Sequence, residues 1–304
     1  MIGHAALDHV YRVETLPGLP TKVRALEHID SGGGMAANAA AAIARLGGRV
    51  ELWSRVGGDA AGQIIRNALD EFGVDTSNVR IFETARSSTA AVIVDGRGER
   101  LVVSERDHAM PMDAGWLPLE NIQCARAVLS DLTWKEATLA AFRAGRSHRI
   151  KTLLDIDIGA GVLPNEILSL TDFAIFSSAA LSHFSNGRTI EERLDWVATL
   201  GVKHVGVTAG SKGYWWREEP YGMQCQPAYE IDVVDTTGAG DAFHGAFAWS
   251  ASKGFESGEC ARIAAAAAAL KCRRLGARAG LPTIDEIDEL LVAQTGLGTE
   301  RPTT

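Results

Sequence analysis

The sequence lacks the features of several classes of protein. Its four cysteines are scattered and form no C-x-x-C pair, so we expect neither a disulfide framework nor a cysteine metal site. Such thiols are typical of a reducing compartment, and we expect a cytoplasmic protein. Positive charge is also scarce, because 30 lysines and arginines stand against 38 acidic residues, for a net charge of −8. No basic surface is therefore expected for nucleic acid or for an anionic membrane.

Long apolar runs are absent from the sequence as well. The alanine-rich run at residues 264–270 is far shorter than the roughly 20 residues that cross a bilayer. No basic segment followed by a long apolar one opens the sequence, so no secretion signal is expected. With 46% hydrophobic and 22% charged residues, the composition is typical of a globular protein. A length of 304 residues suffices for one large α/β domain, which we expect to span residues 1–304.

The most informative stretch is V-V-D-T-T-G-A-G-D-A-F-H-G-A, at residues 233–246. The apolar residues 231–234 predict a strand, and a glycine-rich turn then opens a helix with Asp241 in its first turn. Unpaired N–H groups and the positive end of the helix dipole make such a turn suitable for phosphate oxygens. A carboxylate there would repel phosphate, but it could accept a proton from a hydroxyl group that attacks phosphorus. Alternatively, Asp241 only stabilises the start of the helix.

A second glycine-rich stretch precedes another helix. Gly32, Gly33 and Gly34 come before an alanine-rich segment that ends at Gly47. Asn38 lies in the first turn of that helix, where its amide could hydrogen-bond a hydroxylated ligand. Alternatively, Asn38 lies on a solvated face. The glycine run favours a ligand, because close approach of the backbone would explain three glycines.

Four segments in the first third of the chain predict the strands of a small sheet. They are residues 7–13, 22–29, 88–94 and 101–104, and the last two flank a glycine-rich turn that predicts a hairpin. Such strands pack on one face only. We therefore expect a small sheet that projects from the main body, drawn from about residues 9–30 and 86–106.

From residue 125 onward, strands and helices alternate. Strands are predicted at residues 127–132, 152–156, 173–176 and 204–208, which indicates right-handed crossovers and a mostly parallel sheet covered on both faces. Ligands of such sheets bind beyond the carboxyl ends of the strands. Several residues follow such ends and are expected to converge, although capping explains the aspartates equally well: Asp131, Asp157, Ser177, Gly210 and Gly238.

The remaining segments have simpler patterns. A strand is predicted at residues 50–56, and helices are predicted at residues 60–72, 259–271 and 284–292. No pattern continues from Gly296, so we expect no fixed structure there.

Two of these stretches resemble the signature regions of ribokinase-like (PfkB-type) carbohydrate kinases. They are Gly33-Gly34 through Asn38 and the highly specific D-T-T-G-A-G-D at residues 235–241. The resemblance covers nearly the whole chain. It implies a ribokinase-like α/β fold, which is a three-layer sandwich with a mostly parallel central sheet and a small β-sheet lid. It also implies an ATP-dependent sugar kinase, in which a closed lid excludes water and so prevents hydrolysis of ATP.

The resemblance further implies roles for individual residues. Asp241 would be the base on the sugar hydroxyl, and the amides of Gly238, Ala239 and Gly240 would form the anion hole for the γ-phosphoryl group. Asp235 would bind a monovalent cation such as K⁺, and Mg²⁺ would arrive with ATP. Residues implied to bind the sugar are Asp8, Lys22, Gly33, Gly34 and Asn38. Residues implied to lie along the nucleotide are Thr208, Gly210, Ser211 and Gly213, with Gly276 and Ala277 beside the base.

The sequence departs from the family at two places. The family's N-x-x-E, tied to the water shell of Mg²⁺, reads S-S-A-A at residues 177–180. Several stretches, among them G-G-G at 32–34 and F-H-G-A at 243–246, look like the sulfofructose kinase branch. Lys22 stands where that branch has a lysine for an anionic group, but Ser104 and Thr133 replace its polar amide and its arginine. A substrate role for Lys22 and a solvated lid lysine therefore both stay open.

Two other functions fit the same scaffold. A nucleoside kinase would need an aromatic or apolar lid wall, whereas the lid residues are polar: Lys22, Arg24, Glu27, Glu105, Arg106 and His108. A non-catalytic sugar-binding regulatory protein would not need Asp241 with a complete anion hole. We therefore expect a kinase that phosphorylates a hydroxymethyl group of a small sugar or sugar acid, including anionic ketoses such as sulfofructose. Because the lid often mediates dimerisation in this family, we also expect a homodimer.

Overall fold

The structure, a computed structural model, describes residues 1–158 and 161–295. The expected unstructured tail from Gly296 lies outside the described residues. The strands are β1 (Ala6–Arg12), β2 (Glu27–Gly33), β3 (Ser54–Gly57), β4 (Val79–Phe82), β5 (Ser88–Val94), β6 (Arg100–Glu105), β7 (Ala127–Asp131), β8 (Lys151–Ile156), β9 (Phe173–Ser177), β10 (His204–Thr208), β11 (Tyr214–Glu218) and β12 (Gly222–Gln226). The α-helices are α1 (Met35–Arg45), α2 (Ala60–Glu71), α3 (Lys135–Ser147), α4 (Asn165–Ser169), α5 (Ser178–Phe184), α6 (Ile190–Ala198), α7 (Ala239–Ser252), α8 (Ser257–Lys271) and α9 (Ile284–Thr295).

A mostly parallel sheet forms the centre of the fold, as predicted. Strands β7, β8, β9 and β10 are neighbours in chain order and pair in parallel. The hairpin β11–β12, which the sequence analysis did not predict, extends this sheet with antiparallel pairing. At the opposite edge, Ile2 forms parallel bridges to Ser130 and Trp53 and so connects the sheet with β3 and β4.

Helices cover both faces of the central sheet. Successive side chains of a strand point to opposite faces, so Leu153 and Leu154 of β8 belong to different cores. Leu154 packs with Phe142 of α3, whereas Leu153 packs with Phe247 of α7. The fold is therefore the expected three-layer sandwich. Among residues 1–158 and 161–295, no helix has both the length and the apolar character that crossing a membrane requires.

The predicted lid is a separate four-stranded sheet, in the order β2–β1–β5–β6. Val10 and Val92 lie side by side in adjacent strands and form its buried face. On the opposite face, Leu101 and Val103 are exposed. The alternation of more and less buried residues in β5 thus places one side of the lid against the rest of the protein, whereas all residues of β6 are exposed.

Three of the predicted strands are wrong in their extent. Residues 22–26 form no strand, because the partner strand β1 ends at Arg12, which pairs with Glu27. Residues 231–234 belong to no strand, and Val234 N donates to Cys272 O at 2.8 Å. Of residues 50–56, only those from Ser54 onward belong to a strand. A strand needs a neighbouring strand to pair with as well as a suitable sequence pattern.

Candidate active site

The carboxyl ends of the central strands and the start of α7 meet at one edge of the sheet. Asp131 ends β7 and pairs in register with Asp155 of β8. Ser177 ends β9 and donates from Oγ to Asp157 Oδ1 at 2.7 Å. The charges of Asp131 and Asp157 both act on Asp241. The predicted convergence of these positions is therefore present in the structure.

The glycine-rich turn before α7 leaves room for an anion. Gly238 has a φ of 76°, and a Cβ there would lie 2.8 Å from Ala277 Cβ, so only glycine fits. A Cβ on Gly240 would meet nothing within 4 Å, which shows open space above the turn. Within the described part of the chain, Gly238 N and Gly240 N have no hydrogen-bond partner. Ala239 N, in contrast, donates to Thr236 O at 3.2 Å, so two of the three predicted amides are available.

Asp241 is held by a chain of hydrogen bonds that begins at Arg278. Arg278 Nε donates to Asn38 Oδ1 at 2.8 Å, and Asn38 Nδ2 donates to Asp241 Oδ2 at 2.7 Å. Because an amide has one oxygen and one nitrogen, Arg278 fixes which end of Asn38 faces Asp241. Asn38 is only 4% exposed, so the alternative of a solvated side chain is wrong. Oδ1 of Asp241 has no hydrogen-bond partner among the described residues.

Three charged groups act on one another around these hydrogen bonds: the carboxylates of Asp8 and Asp241 and the guanidinium of Arg278. Burial raises the pKa of Asp241 to about 6, although the hydrogen bond from Asn38 opposes this shift. Burial likewise raises the pKa of Asp8 to about 6, against the attraction of Arg278. Burial lowers the pKa of Arg278 to about 10, so this side chain stays charged at neutral pH. The site therefore contains a base that is ionised at pH 7 but still basic enough to accept a proton.

The glycines before α1 make room for these side chains. A Cβ on Gly32 would lie 2.0 Å from the Arg278 guanidinium carbon, and a Cβ on Gly33 would lie 2.1 Å from Asp8 Oδ1. Gly34 has a φ of 87°, and its Cβ would lie 2.5 Å from His4 O. The glycine run thus lets the backbone approach two charged side chains of the site itself. Asp8, Gly33, Gly34 and Asn38 come together as predicted, whereas Lys22 lies in an exposed loop.

Asp131 has a structural role, in agreement with the capping alternative. Its Oδ2 accepts hydrogen bonds from His4 N at 2.8 Å and from Ala36 N at 3.3 Å. Its Oδ1 accepts from Thr133 N at 2.9 Å. The carboxylate therefore ties the end of β7 to the first turn of α1, which carries Asn38.

The predicted nucleotide residues divide into exposed and buried ones. Gly210 and Ser211 are exposed in a short 3₁₀ turn that follows Thr208. Gly213 is buried, and a Cβ there would lie 2.2 Å from Gln226 O, so it supports the β11–β12 hairpin. Ala277 is fully buried against Gly238. Its predicted place beside the nucleotide base stays a prediction. In the structure it lies beneath the glycine-rich turn before α7, residues 238–240, which we call the anion turn.

Comparison with known proteins identifies the family. The sequence pattern of the pfkB family of carbohydrate kinases matches residues 1–284. The chain belongs to this family. A ribokinase of Arabidopsis thaliana is 32% identical and covers 96% of this chain and 80% of its own length. An ATP-dependent ribose-1-phosphate kinase of Halopiger xanaduensis is 30% identical and covers 95% of this chain and 96% of its own.

Solved structures agree with this assignment. The crystal structure of a provisionally named ribokinase from Agrobacterium tumefaciens is 34% identical, with a TM-score of 0.91 and coverage of 97% of both chains. That of Arabidopsis thaliana ribokinase with ribose and ATP is 30% identical, with a TM-score of 0.83 and coverage of 95% and 97%. The protein is thus an ATP-dependent carbohydrate kinase with the ribokinase-like fold.

Sequence analysis missed two arginines of this kinase. The burial of Arg278 cannot be read from the sequence, because burial of a side chain in a glycine-rich loop follows no periodic pattern. Arg100 opens β6 of the lid and donates from Nη1 to Thr236 Oγ1, next to the anion turn. The adjacent lid turn lies over the same segment, since a Cβ on Gly98 would be 3.6 Å from Val234 O. The lid of this pfkB kinase therefore contacts the segment that leads into α7.

Replacing Arg278 with methionine tests the charge balance of the site. The change keeps most of the side-chain volume but leaves Asp8 and Asp241 without their buried cation. Removing one member of a buried charge cluster costs about 3–5 kcal/mol, so we expect a loss of this order in urea unfolding at pH 8. The control is Arg12→Met in the lid, where an exposed ion pair with Glu27 is lost and we expect less than about 1 kcal/mol. Equal stabilities of the two variants would contradict the assigned role of Arg278.

Proposed function

We propose that this kinase transfers the γ-phosphoryl group of ATP to a hydroxymethyl group of a small sugar, with Asp241 as the base. The observation that carries the proposal is the Asp241 carboxylate itself. It lies in the first turn of α7, its Oδ2 is held by Asn38 at 2.7 Å, and two free amides of the same turn lie next to it. A base and an anion site in one turn of helix are what in-line phosphoryl transfer requires.

Different residues bind the sugar, accept the proton and stabilise the phosphoryl charge. Asp8, Asn38 and the backbone at Gly33 and Gly34 bind the sugar hydroxyls under the lid. The free Oδ1 of Asp241 accepts the proton of the attacking hydroxyl, since Oδ2 is already occupied. The N–H groups of Gly238 and Gly240, at the positive end of α7, stabilise the charge on the transferred phosphoryl group.

ATP lies along the loop after β10, beside Thr208, Gly210 and Ser211. Its Mg²⁺ needs hard oxygen ligands or ordered water, and the S-S-A-A segment supplies no carboxylate. Asp157 fits this need, because it is an exposed carboxylate at the same edge and, among the residues that the structure describes, only its Oδ1 is engaged, by Ser177 and by Ile158 N. Mg²⁺ would neutralise charge on the phosphates, and Asp157 would orient its water shell.

A cavity beside the sugar site favours a sugar that carries an anionic group. This cavity, of about 300 Å³, is lined by His4, Ala5, Arg55, Arg106 and Thr133, among others. Ala5 also packs against Gly34, so the cavity shares a wall with the sugar site. Neither arginine forms an ion pair with any residue that the structure describes. Two guanidinium groups without a salt-bridge partner among the described residues suit a phosphate or a sulfonate.

The geometry of Arg55 supports this use of the cavity. Its guanidinium lies over the Trp134 ring at 4.2 Å and donates from Nη1 to Pro111 O at 2.6 Å, which fixes its position. The carboxylate of Asp107, which also lines the cavity, is engaged by the backbone N–H groups of Arg86 and Ala109. We therefore place an anionic substituent at Arg55 and Arg106, instead of at Lys22. Charged walls also disfavour a stacked nucleoside base.

Substitution of Asp241 by asparagine tests the base. The amide keeps the shape but cannot accept the proton, so kcat should fall by about 10²–10⁴-fold in an ADP-release assay, with sugar binding retained. A carboxyl group with a pKa raised on folding costs stability at any pH above that pKa, so the variant should melt at an equal or higher temperature at pH 8. Asp232→Asn, at an exposed position, is the control and should leave both quantities unchanged. Near-wild-type turnover of the Asp241 variant would contradict the assignment, and silence of the wild type on all sugars would favour a non-catalytic protein.

Substrate pairs test the anionic subsite. We expect a higher kcat/KM for ribose 1-phosphate or sulfofructose than for ribose or fructose. Arg106→Ala should lower kcat/KM for the anionic sugar by about 10- to 100-fold, as expected for a charge-assisted hydrogen bond, and that for the neutral sugar by less than about 2-fold. Lys22→Ala and Arg24→Ala are controls on the exposed loop. If Lys22→Ala lowers kcat/KM for the anionic sugar and Arg106→Ala does not, the anionic group binds at the exposed loop instead. A higher kcat/KM for neutral sugars would contradict an anionic subsite altogether.

The lid also supports the expected homodimer. Tyr11, Leu101 and Val103 share its outer face and are 37%, 47% and 64% exposed. Covering such side chains with a second copy removes apolar surface from water. We propose a dimer through this face, in the cytoplasm, where the four cysteines stay free as they are in the structure. Light scattering should give twice the mass of the chain for the wild type and a lower mass for Val103→Lys.

A further inference from the structure

A buried lysine lies under the anion turn. Lys271 is the last residue of α8, and its side chain is completely shielded from solvent. Its Nζ donates to Asp235 O at 2.8 Å and lies 4.0 Å from Asp235 Oδ2. Asp235 is the residue at which the family resemblance implies a monovalent cation, and it is also completely buried. A positive charge of the protein itself is therefore already present at this position.

The oxygen atoms of Asp235 are engaged by the protein. Oδ1 accepts hydrogen bonds from Thr237 N at 2.8 Å and from Thr237 Oγ1 at 2.7 Å. Oδ2 accepts from Gly276 N at 2.8 Å, and the main-chain oxygen accepts from Lys271. A potassium ion needs several such oxygens at once, and here it would share them with an ammonium group of like charge. The donor set of this chain therefore does not fit a monovalent cation at Asp235.

The charges of Lys271 and Asp235 agree with a lysine that takes the place of a bound cation. Burial lowers the pKa of Lys271, against the opposing attraction of Asp235, and the ammonium group donates to Asp235 O. A buried carboxylate without a counter-charge would be costly, so one of the two, a bound cation or a lysine, has to be present. In this chain the lysine fulfils that requirement.

Two segments connect the Lys271–Asp235 pair with the anion turn. Asp235 begins the D-T-T-G sequence, and its Oδ1 fixes Thr237, which directly precedes Gly238. Its Oδ2 fixes Gly276, and the following Ala277 packs against Gly238. Asp235 thus orients both segments that set the direction of the free amides at Gly238 and Gly240. Lys271 neutralises Asp235 and acts on the transferred phosphoryl group only through it.

The geometry points to Lys271 as a built-in substitute for the monovalent cation, so that this kinase orders its anion hole without K⁺. This inference rests on the proposed function, in which the turn at Gly238 binds the transferred phosphoryl group. Lys271 is then a positioning residue, and cation independence is a property of the chain. Ionic strength still acts on surface charges, so cations have to be compared at constant ionic strength.

The test compares the wild type with Lys271→Ala and Lys271→Met. Lys271→Ala leaves a cavity next to the oxygens of Asp235, whereas Lys271→Met fills the space without charge. Lys151→Met is the matched control, because Lys151 also donates from Nζ to a main-chain oxygen, Ala251 O at 2.9 Å, but at the far end of α7. For each protein, kcat/KM and melting temperature are measured in KCl, NH₄Cl, NaCl and choline chloride.

We expect kcat/KM of the wild type to differ by less than about 2-fold among the four salts. Lys271→Ala should lose about 10²-fold in choline chloride, which is the scale of losing an anion-hole donor, and should recover at least about 10-fold in KCl or NH₄Cl. Lys271→Met should lose as much and recover nothing, and Lys151→Met should behave like the wild type. Selective rescue by one size of cation is an effect that a purely structural role would not produce.

The melting temperatures keep the inference testable if no sugar is turned over, which would count against the proposed function alone. KCl relative to choline chloride should leave the wild type unchanged but should stabilise Lys271→Ala, because a cation that binds only the folded state raises its stability. Saturable activation or stabilisation of the wild type by KCl would overturn the inference. So would a Lys271→Ala variant with full activity in choline chloride, or one that no cation rescues in either measurement.

Discussion

The position of the Asp241 carboxylate depends on the buried guanidinium of Arg278, two hydrogen bonds away. Arg278 orients the amide of Asn38, and Asn38 in turn holds Oδ2 of Asp241. This order cannot be reversed, because the guanidinium can only donate and the carboxylate can only accept. The glycines at 32 and 33 follow from the same constraint, since any side chain there would overlap Arg278 or Asp8. Much of the proposed sugar site thus serves to orient the Asp241 carboxylate.

The segment from Lys271 to Arg278 supports both halves of the site. At its start, Lys271 compensates Asp235 under the anion turn. At its end, the buried guanidinium of Arg278 interacts with the charges of Asp8 and Asp241, next to the proposed sugar site. Between them, Gly276 and Ala277 contact the turn at Gly238. Placing two buried cations on one short segment ties the phosphoryl site to the sugar site, so a shift of this segment would disturb both.

The sequence was sufficient for those features that repeat along the chain. Apolar periodicity located β7 to β10 with their helices, and the D-T-T-G-A-G-D stretch located the anion turn with Asp241. The sequence was not sufficient where strand pairing or side-chain burial depends on a segment distant in the chain. Residues 22–26 lack a strand to pair with, and the burial of Lys271 and Arg278 comes from elements distant in sequence. A lysine in a helix and an arginine in a loop are usually solvated, so composition alone favours the wrong environment for both.

The most direct test of the account is the pH dependence of kcat/KM for an accepted sugar, which reports ionisation of the free enzyme. Burial raises the pKa values of Asp241 and Asp8 to about 6, and their common environment makes the observed value a property of the pair. The account predicts a constant kcat/KM above pH 7 and a fall of about tenfold or more between pH 7 and pH 5. A kcat/KM that stays constant down to about pH 4.5, near the pKa of an ordinary carboxyl group, would contradict a buried carboxylate as the base.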